Sequence, residues 1–186
     1  YSFNLVWEKN CVEIMDNQLD VPLGILKLPV PLKEDYNRRQ KLIELIEKPL
    51  WTITGKCAKD TLIPDLVSIC KVNEQHQFII FDAKYYNAHL EKGIVPTGQP
   101  GIESITKQYL YQLAYQRFIE DHKFSSVKNC FLLPTENNEI EDKGEVRMEM
   151  LSNLGLQDIK IRLIPATMAY DLYLSGSKMD MERLDL

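Results

Sequence analysis

The chain has 186 residues, 45% hydrophobic and 26% charged, which fits one ordinary globular domain able to bury a core. No apolar run approaches the roughly 20 residues a membrane-spanning helix needs, and the opening residues lack the basic-then-apolar pattern of a signal peptide, so neither is expected. The net charge of −5 counts against a surface built to grip nucleic acid, unless carboxylates gathered for metal ions supply it or another domain or subunit provides the grip.

Residues 2–16 read as a helix, with Ser2 as N-cap and Phe3, Val6, Trp7, Cys11 and Ile14 on its apolar face. Pro22, Gly24, Pro29 and Pro31 then mark a loop or edge segment. A more polar helix is expected over 34–47, turning Leu42, Ile43, Leu45 and Ile46 inward and stopping before Pro49. Strands follow at 50–54, 66–72 and 78–85, the last two joined by a hairpin loop at 73–77. Residues 87–102, with Gly93, Pro96, Gly98, Pro100 and Gly101, read as a long mobile loop of the kind that often carries function. A long helix over 103–121 packs through Leu110, Leu113, Ala114 and Phe118. Beyond it come a buried strand at 127–133, a polar acidic turn at 135–145, strands at 146–151 and 158–164, and a helix over 166–174 stopped by Gly176. A helix linking the third strand to a fourth predicts a right-handed crossover, hence an α/β domain with a mixed sheet flanked by helices. The chain lacks an initiator Met, which a processed product and a piece excised from a longer chain explain equally well.

The four cysteines, Cys11, Cys57, Cys70 and Cys130, lie far apart, which argues against a structural zinc. Cys11 and Cys130 read as core thiols of an intracellular protein. The scattered His76, His89 and His122 form no His-based metal pattern.

The chemistry concentrates on the third strand, where alternation puts Phe78, Ile80, Asp82 and Lys84 on one side. Alone, such a D-x-K pattern is a solvated strand end carrying a weak ion pair. Asp65, after Pro64 at the start of the preceding strand, changes that reading, because a hairpin brings it near Asp82. Two converging carboxylates make a hard-oxygen site suited to Mg²⁺. Glu8 has Leu5, Cys11, Val12 and Met15 as helical neighbours, so it lies on a partly buried face; a metal or lysine would relieve its cost, although an edge position reaching solvent fits the helix equally. Gln108, Gln112 and Tyr115 fall at i, i+4 and i+7 and form a polar stripe that could orient Lys84 or bond a phosphate; the alternative is an ordinary amphipathic helix.

Pro64-Asp65 followed by Phe81-Asp82-Ala83-Lys84 resembles the PD-(D/E)xK signature of restriction and repair nucleases. Leu62-Ile63-Pro64-Asp65, Ile80 through Tyr86, Ile105 through Gln112, Trp7-Glu8 and Leu163 through Leu174 together look like the LlaJI family of restriction endonucleases, a family related to the nuclease subunit of McrBC-type systems. The resemblance implies a PD-(D/E)xK core in a single nuclease domain over 1–186, an enzyme cleaving double-stranded DNA with Mg²⁺, for which Mn²⁺ substitutes. It implies metal contacts at Asp65, Asp82, Glu8 and Ala83, with Lys84 steadying the attacking water or the transition-state charge. It also implies a cytoplasmic protein with a nucleotide-hydrolysing motor or DNA-recognition subunit as partner, since no G-x-x-x-x-G-K-[ST] occurs in the chain. A repair or recombination nuclease on the same core is the alternative, followed by a non-catalytic DNA-binding or assembly module.

Overall fold

The computed structural model describes residues 2–186. The elements follow in the order α1 (Phe3–Ile14), β1 (Leu50–Trp51), β2 (Lys56–Cys57), β3 (Leu66–Val72), β4 (Gln75–Ala83), α2 (Ile102–Asp121), β5 (Ser126–Thr135), β6 (Glu141–Val146), β7 (Ile159–Pro165) and α3 (Ala166–Ser175).

Strands β3 to β7 build one mixed sheet in the spatial order β3-β4-β5-β7-β6. β3 and β4 pair antiparallel around Asn73 and Glu74, both at positive φ, the backbone a two-residue hairpin demands. That makes the turn shorter, and β4 longer, than the expected loop at 73–77. α2 then carries the chain from β4 to β5, which lies parallel to it, as the expected crossover requires. Pro134 is tolerated in β5 because its paired neighbour β4 has ended two residues earlier, at the Ala83–Leu132 pair. The sheet flanked by helices is the restriction-endonuclease-like arrangement the resemblance implies.

Strand alternation sorts the core into two layers. Ile79, Phe81 and Ala83 face α1 and α3, meeting Trp7, Cys11, Ile14 and Ala169. Phe78 and Ile80 face α2 and the 19–46 segment, meeting Tyr111, Tyr115, Phe118 and Leu42. Cys11 and Cys130 are buried core thiols. Arg162 on β7 is 2% exposed and donates to the Leu184 and Asp185 carbonyls (both 2.6 Å) and to Asp142 (2.7 Å), fastening residues after α3 to the sheet. Among the described residues no helix is long and apolar enough to cross a membrane.

Three expectations are corrected. Residues 34–47 form no α-helix, only a 3₁₀ turn at Leu42–Leu45. Their backbone bonds go across to residues 19–24 instead: the Leu23 and Gly24 N–H groups donate to Gln40 and Arg38 carbonyls, and the Leu42 and Ile43 N–H groups to Val21 and Leu19. Gly24 permits that approach, since a Cβ there would meet the Arg38 carbonyl oxygen at 2.9 Å. Leu42 and Ile46 still turn inward. The strand expected at 50–54 shrinks to β1, which pairs only with β2 in a separate ribbon. The strand expected at 146–151 lies earlier, as β6, followed by a 3₁₀ turn at Glu149–Leu154. β6 is nearly all charge; its register against β7 pairs Asp142 with Arg162 and Glu145 with Lys160, so cross-strand ion pairs substitute for apolar alternation. A charged, bulged edge also resists pairing with other chains.

Candidate active site

β4 ends on the face it shares with α2, and there it carries Asp82 into a largely closed environment, 6% exposed. The Lys84 ammonium lies 2.7 Å from Asp82 Oδ1, while Asp82 Oδ2 is buried without a partner. Asp65, one residue before β3, accepts the Ala83 N–H at Oδ2 (2.9 Å), and the same oxygen lies 3.7 Å from Lys84 Nζ. The Pro64-Asp65 pair has a local logic here. Continuing the Leu66–Phe81 register by two residues would set Pro64 opposite Ala83. Proline has no N–H to give the Ala83 carbonyl, and the Asp65 side chain takes the Ala83 N–H.

Helix α1 is pinned at the same end of the sheet. The Trp7 indole N–H donates to the Leu132 carbonyl (3.1 Å), which also accepts the Lys84 N–H (2.9 Å). Glu8, half-buried, follows directly in the chain. Burial raises its pKa first and the Asp65 charge adds to that, against the pull of Lys84, so Glu8 feels the cluster's field. Among the described residues no three His, Cys, Asp or Glu side chains converge closely enough to hold a metal, so Glu8 stands outside the close pair.

Burial pushes the Asp82 carboxyl up to about 7, helped by the neighbouring Asp65 carboxylate, with Lys84 opposing. Burial pulls Lys84 down, but its bond to Asp82 and the two carboxylates outweigh this, and it stays a cation. Two carboxylates with one bare buried oxygen and a neighbouring main-chain carbonyl suit a hard cation such as Mg²⁺, which takes few protein ligands. The residues present fit such an ion.

The stripe on α2 behaves otherwise than expected. Gln108 is fully buried and donates to the Ile80 carbonyl (2.7 Å), its own Oε1 left without a partner. Gln112 accepts from the Asn129 amide (2.8 Å) and the Gln157 N–H (3.0 Å), and the Tyr115 hydroxyl donates to the Leu42 carbonyl (3.2 Å). None bonds Lys84. The stripe is the packed side of α2, and Leu110, Leu113 and Ala114 face solvent. Sequence reasoning missed Tyr111, whose hydroxyl donates to the Ile63 carbonyl (3.0 Å) and steadies the segment entering Pro64-Asp65. Its i+3 spacing from Gln108 was the available signal. Beyond Lys84 a cleft of about 620 Å³ opens between Tyr85, Tyr86 and His89 on one side and Glu136, Asn137 and Lys143 on the other. The segment after β4, at 85–91, and the turn between β5 and β6 thus border the same space.

The LlaJI restriction endonuclease family model matches residues 1–170. The chain is 29% identical over 158 residues to a protein described as type II restriction enzyme BsuMI component YdjA, from Bacillus subtilis strain 168. That match covers 82% of this chain and 32% of the relative, so the chain spans about a third of that protein's length. No solved structure matches it. A mixed α/β sheet ending in two carboxylates and a lysine, with a family match over most of its length, places the chain among restriction endonucleases. It belongs to the LlaJI restriction endonuclease family.

Proposed function

We propose that this chain is the DNA-cleaving module of a type II restriction system, a PD-(D/E)xK nuclease hydrolysing phosphodiester bonds of double-stranded DNA in the cytoplasm. The observation that carries this reading is the bare, buried Oδ2 of Asp82 beside Asp65, with Lys84 on the opposite oxygen, in a chain of this family. Asp65, Asp82 and the Ala83 carbonyl would hold Mg²⁺, or Mn²⁺ in its place, and Glu8 would bias the site from α1. Such an ion would supply neutralisation of phosphoryl charge and activation of water for attack. Lys84, already held at the carboxylates, turns to the attacking water or to the charge that builds on phosphorus.

The acidic composition supports a second subunit, since few phosphates can be neutralised by this surface. The relative's description as a component agrees with a multi-part system. A nucleotide-hydrolysing motor or a DNA-recognition subunit fits that place. The test is nicking of supercoiled plasmid with Mg²⁺, by the chain alone and with the products of neighbouring genes. Feeble cutting alone and strong cutting in company is expected; efficient site-specific cutting by the chain alone overturns the need for a partner, and no cutting in any combination overturns the nuclease reading.

A further inference from the structure

The β1–β2 ribbon takes no part in the site described above. Its strands are two residues each and pair only with one another, Leu50 with Cys57 and Trp51 with Lys56. Its base is tied by the Ala58 N–H to the Pro49 carbonyl (2.7 Å) and by the Thr61 hydroxyl to the Glu47 carbonyl (2.8 Å). Its turn is closed by the Thr54 and Gly55 N–H groups, both on the Trp51 carbonyl, with Gly55 in the left-handed conformation such a closure needs. The ribbon is thus shaped and anchored, yet it displays its apolar residues to solvent. Trp51 is 63% exposed and Ile53 96%. A two-stranded hairpin is marginal by itself, so nothing in folding rewards that display.

Charge points to the occupant. Residues 47–61 contain Lys48, Lys56 and Lys59 against Glu47 and Asp60 at the base, so the ribbon itself carries only positive charge in a chain with a net charge of −5. All three lysines are exposed, and among the described residues none is in an ion pair. The ribbon's base is also close to the site along the chain. Six residues lie between Ala58 and Asp65, a reach of at most roughly 25 Å. One turn of B-DNA is about 34 Å, and its major groove admits a two-stranded ribbon.

Resting on the nuclease reading, we propose that this ribbon enters the major groove of the duplex being cut. Trp51 and Ile53 lie against base edges and thymine methyls, and Lys48, Lys56 and Lys59 meet the flanking phosphates. The ribbon supplies this acidic chain with its own local grip on DNA, next to the carboxylates that repel it.

The chain has two tryptophans, Trp7 buried and Trp51 exposed, so acrylamide quenching of its fluorescence reports on Trp51. With Ca²⁺ replacing Mg²⁺ to hold off cleavage, a duplex oligonucleotide is expected to shield that signal. Replacing the three lysines with Ala should flatten the dependence of log binding constant on log salt by about 3, at roughly 0.9 per phosphate contact. Trp51→Ala with Ile53→Ser should weaken binding on the order of tenfold, as loss of an aromatic contact to a base does. Both variants should raise KM for cleavage, in whichever composition of the system cuts, and leave kcat near the parent value. An unshielded Trp51 and an unchanged salt slope, in protein whose cutting still depends on Asp82, overturn the ribbon's role and leave the nuclease reading standing. Shielding of Trp51 by a second protein of the system, and not by DNA, overturns it as well. Shielding by DNA in protein that never cuts upholds the groove contact and overturns the nuclease reading instead.

Discussion

Two polar groups of residues face each other's ends along the α2 side of the sheet, and they are built on opposite terms. Around Gln112 the groups are neutral amides: its carbonyl oxygen takes both the Asn129 amide and the Gln157 N–H, joining α2 to β5 and to the approach to β7, while Asn129 Oδ1 is buried without a partner. Around Asp82 the fold leaves an oxygen bare and sets a second carboxylate beside it. An unpartnered neutral amide costs a fold little beside an unpartnered buried carboxylate, whose charge raises the penalty. Burial does not separate the two, and neither does an unpartnered oxygen, since each has one. What separates them is charge: one group is neutral amides, the other two carboxylates and a lysine.

The sharpest way to break this comparison is to exchange its consequences. Asp82→Asn and Lys84→Ala are each expected to cut plasmid cleavage by roughly a thousandfold or more, the scale seen when a charge-stabilising group is lost. Circular dichroism and melting should show the fold kept. Parent-rate cutting by either variant removes the assigned centre.

Gln112→Ala should do the reverse. It orphans a buried amide and a backbone N–H, a loss of about 1–3 kcal/mol in unfolding free energy by urea titration, with kcat per folded molecule unchanged. A stable variant with lost activity would move Gln112 into the catalytic group.

A smaller effect sharpens the contrast through pH. The Asp82 carboxyl is raised from its ordinary 3.8 to about 7, so the folded state keeps a proton that the unfolded chain has released. That contribution to stability is complete below about pH 4 and is lost as pH rises to about 7. Glu8, also raised, acts in the same sense, whereas Lys84, raised from 10.5, contributes nothing in this window. In chelator, melting temperature should therefore fall across that range, less steeply in Asp82→Asn, and added Mg²⁺ should recover most at the alkaline end. A flat profile in the parent would mean that Asp82 is satisfied after all. The smallest change belongs to Glu8→Gln, expected to weaken Mg²⁺ binding by a few fold in calorimetric titration; unchanged affinity leaves Glu8 a structural residue.

The close trio was legible in the sequence because a hairpin is a local object. Once β3 and β4 were read from their apolar runs and turn residues, pairing had to bring Asp65 toward Asp82, and alternation had to put Lys84 on the same side. The α2 stripe was legible as a stripe but not as to where it points. Its amides and phenols turn inward because carbonyls at Ile80, Ile63 and Leu42 await donors there, and those carbonyls are supplied by remote parts of the chain. The 34–47 segment failed for the same reason: its hydrogen bonds go to residues 19–24, which local propensity does not see. β6 was misplaced because its partners are charges on β7, so it lacks the apolar alternation by which strands are recognised.

Arg162 sets a practical rule for anyone trimming this protein. The family match stops at residue 170, which invites a shorter version cut there. Such a version discards Met179 and Leu184, both buried, and strips the sealed guanidinium of the Leu184 and Asp185 carbonyls. Arg162 would keep Asp142 but lose two of its buried carbonyl partners, a defect expected to destabilise the domain. The family match therefore stops short of residues on which the core depends, and the 3₁₀ turn at Met181–Leu184 buries Leu184 with the strands.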